Sequence, residues 1–184
     1  HPEVEGTMGR ISGDVYLVSN TEDVFKLKVK NPKKLSYISQ TTLSVDDTKV
    51  VIEALKKRFP AIEGPDVKDI CYATQNRQSA VRDLVDHVNL ILVVGAKNSS
   101  NSNRLREIAE RSGVEAYLID TIEDLPLDCL EGKSKIGLTS GASAPEHLVS
   151  EVIEVLTLNH NFNLAGDRKR TDEGISFRLP KGLR

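Results

Sequence analysis

The sequence predicts an α/β fold made of parallel-sheet lobes of repeated strand-loop-helix units. Short β-branched segments alternate with amphipathic helical segments along most of the chain. The clearest strand, 90–94 (LILVV), is apolar at every position, which is typical of a parallel strand buried on both faces. A helix follows it with Leu105, Ile108 and Ala109 at core spacing. This alternation implies parallel sheets with right-handed crossover connections.

Residues 1–65 are predicted to form the first of three segments. Its predicted elements are a loop or helix start at 1–13, a strand at 14–19, a helix from 21 to about 28, a strand at 35–40 and a helix at 44–58. Ser44 and Asp47 form a capping-box-like pair at the start of the last helix. The dipeptide at 64–65, Gly-Pro, interrupts the pattern and predicts a domain boundary.

Residues 66–156 are predicted to form the second segment, and 157–184 a loose, charged C-terminal tail. The predicted elements are a helix from about 74 to 87, the strand 90–94, a helix to about 113, a strand at 115–119, a short helix at 121–125, a strand at 135–139, a helix ending at 156 and a last strand at 175–179. The sequence Ser-Ala-Pro-Glu at 143–146 fits a capping box with proline in the first turn of its helix.

Composition excludes several function classes. The chain has 184 residues, is 39% hydrophobic and 28% charged, and has a formal net charge of −2. That charge gives no basic footprint for nucleic acid. No apolar run approaches the roughly 20 residues of a membrane span. Two cysteines do not make a disulfide framework and fit a reducing compartment. We therefore expect a cytoplasmic protein without a nucleic-acid or membrane partner.

Three loops rich in Ser, Thr or Asn are expected to meet at one edge of the sheets. They lie at 40–44, 96–102 and 140–143, each after a predicted strand. Ligands of open parallel sheets bind beyond the carboxyl ends of the strands. The free N–H groups and the dipole of a helix N terminus favour an anion such as phosphate or diphosphate. For one loop alone, ordinary N-capping explains such residues. Three loops together predict an anion pocket.

Cys71 lies just before a predicted helix start, a position where thiols act as metal ligands or nucleophiles. A buried, inert cysteine is the alternative interpretation. No local metal-ligand spacing such as CxxC is present, so a metal at Cys71 needs ligands from elsewhere. Cys129 lies in a charged connection, and we expect no role for it.

Two residues near the start of the sequence could also act chemically. Glu3 could donate protons if it were held in a dry pocket, although a solvated carboxylate is the commoner case. His1 could bind an anion or be an exposed imidazole.

Five stretches together resemble one enzyme family. They are HPEVEGTMG at 1–9, SQTTLSVDDT at 39–48, ICYATQNRQ at 70–78, VVGAKNSSNSNRL at 93–105 and TSGASAPE at 139–146. In this order they resemble 4-hydroxy-3-methylbut-2-enyl diphosphate reductase, the LytB or IspH family. The resemblance spans about 1–155 and is looser in the tail. It implies a fold of three α/β lobes, of which 1–65 is the remainder of the second and 66–156 the third.

The resemblance also implies a reaction. The family reductively removes the hydroxyl of (E)-4-hydroxy-3-methylbut-2-enyl diphosphate as water, giving isopentenyl and dimethylallyl diphosphate. This is the last step of non-mevalonate isoprenoid biosynthesis. The reaction takes place at a [4Fe–4S] cluster with one open iron, and each lobe supplies one cysteine ligand. An electron-donor protein such as flavodoxin or ferredoxin is the implied redox partner.

The resemblance assigns roles residue by residue. Cys71 matches the third cluster ligand, Glu3 the acid that relays protons, and Thr41 the hydroxyl that orders the relay. Thr74 matches a residue that lines the site. The residues that match ligands of the diphosphate are His1, Ser99, Ser100, Asn101 and Ser143.

The resemblance covers only part of the family's pattern. The first lobe, two cluster cysteines and two further diphosphate histidines of the family precede the position that matches His1. We therefore expect this chain to be an incomplete, inactive fragment without the N-terminal part of the same enzyme. Two alternatives remain open. One is a non-catalytic diphosphate-binding module that uses the three loops. The other is a thiol enzyme with Cys71 as nucleophile, although no base lies near it in the sequence.

Overall fold

The computed structural model describes residues 1–165, 174–176, 178–180 and 182. Its helices are α1 (Pro2–Met8), α2 (Thr21–Lys26), α3 (Val45–Arg58), α4 (Tyr72–Val85), α5 (Ser100–Arg111) and α6 (Glu146–Asn159). Its strands are β1 (Leu90–Val94), β2 (Glu115–Ile119) and β3 (Ile136–Ser140). Short 3-10 helices occupy Ile122–Asp124 and Leu127–Leu130. The chain divides into two compact units, His1–Val152 and Ile153–Arg184. The predicted boundaries at 65 and 156 stay predictions.

The three strands form a parallel sheet in the order β2-β1-β3, which confirms the predicted α/β class. The central strand β1 is buried at all five positions, as its unbroken apolar sequence predicts. Ile91 and Val93 on one face of β1 belong to a core with Val81 of α4 and Leu105 of α5. Helices α4 and α5 therefore cover this face, and burying each such side chain contributes about 1.5–3 kcal/mol.

The strands predicted at 14–19 and 35–40 are wrong. Both segments lack a strand assignment, and an isolated parallel bridge joins Ser36 to Glu63. Their β-branched content favours extended backbone, but a strand exists only where a neighbouring strand accepts its hydrogen bonds. Helices α2 and α3 nevertheless pack beside them around Val24 and Leu55. Apolar side chains from both segments line an open cavity, among them Val15, Leu17, Val18, Leu35 and Ile38.

Of the two helix caps predicted from the sequence, at Ser44 and at Ser143, one is present in the structure. Ser44 does cap α3, since its Oγ accepts a hydrogen bond from the Asp47 N–H at 3.2 Å. The cap predicted at Ser143 is wrong, because α6 begins at Glu146 and Ser143 lies in a turn before it. A hydrogen bond from the Ala144 N–H to the Gly141 carbonyl closes this turn at 3.1 Å.

The tail beyond α6 is only partly described. The strand predicted at 175–179 includes position 177, which lies outside the described residues, and 174–176 and 178–180 carry no strand assignment. Among the helices within the described ranges, none combines the length and the apolar character needed to cross a membrane.

Candidate functional site

The carboxyl ends of the three strands are aligned at one edge of the sheet. Val94 of β1 is in register with Ile119 of β2 and Ser140 of β3. The next residues continue this ladder: the Gly95 N–H donates to the Ile119 carbonyl and the Gly141 N–H to the Val94 carbonyl, each at 2.8 Å. The loops that follow β1 and β3 therefore leave the sheet side by side, as predicted for two of the three polar loops.

The N terminus of α5 is built from small residues that approach each other closely. Ser99 caps the helix, and its Oγ accepts hydrogen bonds from the Ser102 N–H at 3.3 Å and the Ser102 hydroxyl at 3.1 Å. A Cβ at Gly95 or Gly141 would collide with the Ser102 Oγ. Glycine at both positions is therefore what allows the two loops to close over the start of the helix.

Asn101 in the first turn of α5 is the unusual member of this region. Its side chain is only 5% exposed, yet within the described part of the chain neither its Oδ1 nor its Nδ2 has a hydrogen-bond partner. Leaving a buried polar group unsatisfied costs about 1–3 kcal/mol. A Cβ built on Gly141 would lie 3.8 Å from the Asn101 Nδ2, so the amide faces the loop after β3. A ligand with polar oxygens at this edge could satisfy it.

His1 joins the start of α1 to the start of α5. Its Nδ1 accepts a hydrogen bond from the Glu3 N–H at 3.2 Å, and its Nε2 lies 3.1 Å from the Ser100 Oγ. Because Nδ1 is an acceptor, the proton of a neutral ring resides on Nε2, which then donates to Ser100. Two residues predicted to bind an anion therefore touch one another.

Glu3, Thr41 and Cys71 form a second connected series. The Thr41 N–H donates to the Glu3 carboxylate at 3.0 Å, and the Thr41 hydroxyl lies 3.4 Å from its other oxygen. The Thr41 carbonyl accepts from the Cys71 N–H at 3.0 Å. Cys71 is exposed, and it precedes α4 without using its thiol to cap the helix. The series brings a carboxylate, a hydroxyl and a free thiol into one region.

For Ser143 and Thr74, two further predicted site residues, the structure gives the position in the fold and the exposure. Ser143 is exposed in the turn after Gly141, beyond the carboxyl end of β3. Thr74 lies in the first turn of α4 and is 1% exposed, so its side chain belongs to the packing behind Cys71. Their proposed contacts with a ligand stay predictions.

Two polar residues of α4 that were not predicted from the sequence reach the predicted loops. The Arg77 Nε donates to the Ser140 carbonyl at 3.1 Å, at the end of β3. Gln78 is fully buried and bonds the backbone on both sides of Ser44. Both occur in the stretch that also contains Cys71. The available signal was a glutamine on the same helical face as the apolar Val81.

Two ion pairs connect the helices around the site. Asp47 of α3 binds Arg111 of α5 at 2.9 Å, and Asp46 binds Arg82 of α4 at 2.6 Å. Burial works to raise the pKa of Asp47, but the hydrogen bond and charge of Arg111 hold that pKa below its ordinary value. The groups that reach the α5 N terminus are instead neutral hydroxyls, an amide and an imidazole.

The two cysteine thiols differ in how accessible they are to a metal. Cys71 is exposed next to Thr41, whereas Cys129 is half-buried. Burial raises the pKa of the Cys129 thiol, and the charge of Glu115, at the amino end of β2, raises it further. Across residues 1–165 and the described tail positions, no group of three or more His, Cys, Asp or Glu could hold a metal ion. The described residues thus fit one ligand of an iron–sulfur cluster and lack a complete set.

These features define a class: an α/β protein with a candidate anion pocket at the carboxyl edge of a parallel sheet, and an exposed thiol nearby. The profile of the LytB protein family matches residues 1–157. The chain belongs to this family.

Curated relatives and a solved structure agree with that assignment. The chain is 56% identical over 187 residues to the 4-hydroxy-3-methylbut-2-enyl diphosphate reductase of Colwellia psychrerythraea, covering 100% of this chain and 60% of the relative. It is 53% identical over 188 residues to the protein of that name from a Psychrobacter species, covering 100% and 59%. The chain thus spans about three-fifths of the relatives' length.

One solved structure that the chain resembles is that of the E-1-hydroxy-2-methyl-but-2-enyl-4-diphosphate reductase from Plasmodium falciparum. The TM-score is 0.78 at 36% sequence identity, over 91% of this chain and 53% of the other.

Proposed function

We propose that this chain is the C-terminal part of a 4-hydroxy-3-methylbut-2-enyl diphosphate reductase, an iron–sulfur oxidoreductase. The observation that best supports this is the series Glu3–Thr41–Cys71, which ends at an exposed thiol. The 56% identity to a relative of that name supports the same activity. The reaction is the reductive dehydroxylation of (E)-4-hydroxy-3-methylbut-2-enyl diphosphate to isopentenyl and dimethylallyl diphosphate.

The diphosphate would bind at the start of α5. Helix N termini attract anions through free N–H groups and the helix dipole. Asn101 supports this because its buried amide lacks a partner in the described chain, and Ser100 with His1 already forms a polar pair there. Ser99 and Ser143 would add hydroxyl donors. Holding the diphosphate would place the reacting carbon at the other end of the substrate in a fixed position.

The proton path would use Glu3 and Thr41. Glu3 would be the proton donor of the reaction, and the Thr41 N–H orients its side chain by bonding Oε1. The Thr41 hydroxyl lies at the other carboxylate oxygen, where it can pass a proton toward the departing substrate hydroxyl. Thr74, buried three residues beyond Cys71, would shape the floor of the site.

Cys71 would hold the [4Fe–4S] cluster together with cysteines from the rest of the enzyme. When bound, the cluster would supply the electrons and the Lewis acidity for removing the substrate hydroxyl. The N-terminal part of the enzyme would supply those ligands and further diphosphate contacts. An electron-transfer protein of the flavodoxin or ferredoxin type would be the reductant. In this proposal 1–65 completes the second lobe, 66–156 forms the third, and 157–184 is the tail.

The cluster proposal is tested by replacing each of the two cysteines in turn. The chain is joined to the N-terminal part of the Colwellia relative that it does not cover, and iron and sulfide are measured after anaerobic reconstitution. We expect a full cluster in the joined protein, its loss in Cys71→Ser, and its retention in Cys129→Ser. The 184-residue chain alone should hold no intact cluster. A full cluster on the chain alone, or in Cys71→Ser, contradicts the proposal.

A second candidate function is a non-catalytic diphosphate-binding module, which the unpartnered Asn101 amide supports by itself. Titration with inorganic diphosphate separates the two. If the joined protein binds diphosphate equally well with and without Cys71 and never reduces the substrate, the module is the correct interpretation. Turnover that disappears in Cys71→Ser supports the reductase.

A further inference from the structure

Gln78 connects the helix that begins after Cys71 with the loop that contains Thr41. Its side chain is 0% exposed. The Gln78 Oε1 accepts a hydrogen bond from the Val45 N–H at 3.1 Å, and its Nε2 donates to the Leu43 carbonyl at 2.8 Å. The partners fix the orientation of the amide, since a flipped amide would face a donor with a donor and an acceptor with an acceptor.

The two backbone groups that Gln78 satisfies flank the cap of α3. Val45 is the first residue of α3, so its N–H has no partner within the helix. Ser44 caps the helix by accepting from Asp47. Gln78 completes that cap from a neighbouring helix. It also holds the end of the polar loop at 40–44, which contains Thr41.

The same loop is attached to α4 a second time. The Cys71 N–H, immediately before α4, donates to the Thr41 carbonyl at 3.0 Å. Gln78 lies two helical turns further along and binds the other end of the loop. One attachment would let the loop pivot, whereas two attachments fix its position along the helix. Thr41 in turn binds Glu3 through its N–H at 3.0 Å.

We infer that Gln78 is a positioning residue that holds the Thr41 loop in register with Cys71, so that the Glu3–Thr41 pair stays beside the thiol. The positional part of this inference concerns the chain itself, and its catalytic consequence rests on the proposed function. Proton transfer to a bound substrate depends on sub-ångström placement, so a loop released at one end should slow the reaction without abolishing substrate binding.

Hydrogen exchange on the 184-residue chain tests the positional part. Gln78→Met has similar length and no amide. Arg82→Met is the matched control, because Arg82 joins the same two helices through an exposed ion pair with Asp46. Exchange at the Thr41 and Cys71 amides should rise about tenfold or more in Gln78→Met, with β1 unchanged, and stay within about twofold in Arg82→Met. Equal effects of the two variants, or a rise confined to β1, contradict the inference.

Gln78→Glu keeps the experiment decisive if Gln78→Met does not fold. A carboxyl group buried at this position has a raised pKa, and its protonated form can still accept from Val45 and donate to Leu43. After correction for intrinsic rates, exchange at Thr41 should match the wild type near about pH 5 and exceed it near about pH 8. If the exchange rate at Thr41 in Gln78→Glu, divided by the wild-type rate, is the same at both pH values, the inference is overturned.

Turnover of the joined protein tests the catalytic consequence. Gln78→Met should lower kcat about tenfold to a hundredfold with KM changed less than about threefold. Arg82→Met should match the wild type. If the wild-type joined protein does not reduce the substrate, the proposed function fails while the exchange data still decide the positional part. If it is active and Gln78→Met has the same kcat, Gln78 does not position the site.

Discussion

The region around β1 and the region 1–65 both contain short segments rich in β-branched residues, but these segments form a sheet only around β1. In the first region, β2 and β3 each pair with β1 along all five residues. In the second, the segments 14–19 and 35–40 carry no strand assignment, and Leu17 and Ile38 are 61% and 60% exposed. A central strand, rather than local β propensity, therefore turns such segments into a sheet.

The candidate site draws on both regions. Cys71, Ser100 and Asn101 lie in the part of the chain that contains the sheet. Glu3 and Thr41 come from the region without one, and the hydrogen bonds between them are exposed. We therefore expect Ser100 and Asn101 to be firmly held in this chain, and the Glu3–Thr41 pair to depend more on what packs against 1–65.

The largest expected difference between the two regions is in hydrogen exchange. Amides of β1 should exchange about a thousandfold or more slowly than free peptide, because they open only with the folded core. Amides at 14–19 should stay within about tenfold of free peptide, since they lack ladder partners. Joining the N-terminal part of the Colwellia relative should slow exchange at 14–19 and leave β1 unchanged. Equal protection of both segments in the isolated chain would remove the distinction.

Truncating one leucine in each region should give a second contrast. Leu105 is 0% exposed in the core beneath β1, so Leu105→Ala should lower the free energy of unfolding by about 2–5 kcal/mol. Leu17→Ala, at a side chain that is 61% exposed, should change it by less than about 0.5 kcal/mol. Urea unfolding followed by circular dichroism measures both. Similar losses in the two variants would show that 14–19 is part of a cooperative core.

The smallest expected effect is at an ion pair that ties the two regions together. Burial works against the charge of Asp47, but the hydrogen bond and charge of Arg111 hold the pKa of Asp47 below its ordinary value. The stabilisation is therefore fully present above about pH 4 and is lost as the pH falls through the lower folded-state pKa. Because the side chains are 60% and 50% exposed, Asp47→Asn should cost at most about 1 kcal/mol at pH 7.

The control for that ion pair is Glu53→Gln, at an exposed carboxylate on the same helix. Urea unfolding of both variants at pH 7 and pH 2.5 should show a difference between them at the higher pH that disappears at the lower. A difference that persists in acid would show that Asp47 acts through packing or its cap rather than its charge.

Features that depend on neighbouring residues could be predicted from the sequence. The buried strand β1 follows from five consecutive apolar residues, and the cap at Ser44 from the acid three residues later. Both are local, because the interacting groups are close in the chain. Ser143 has a capping-box pattern like that of Ser44, but the cap predicted there is wrong. The chain makes a turn at Gly141 before the helix begins.

The site could be predicted only in part. Thr41 and Glu3 are 38 residues apart, so no periodicity in the sequence implies their hydrogen bond. Only the family resemblance pointed to it. Gln78 lies 33 residues from Val45 and was missed, because a glutamine on a helix is usually solvated. Contacts between regions depend on tertiary packing, which the pattern of a single segment does not encode.

We propose that Glu3, bonded to Thr41, delivers protons to the substrate. It is tested most directly by kcat of the joined protein in Glu3→Gln, with Glu5→Gln on the same helix as the control. Glu3→Gln should lower kcat by about a hundredfold to ten-thousandfold while diphosphate binding persists, because the amide keeps an acceptor for Thr41 but cannot supply the proton. Equal turnover of Glu3→Gln and Glu5→Gln would contradict the claim.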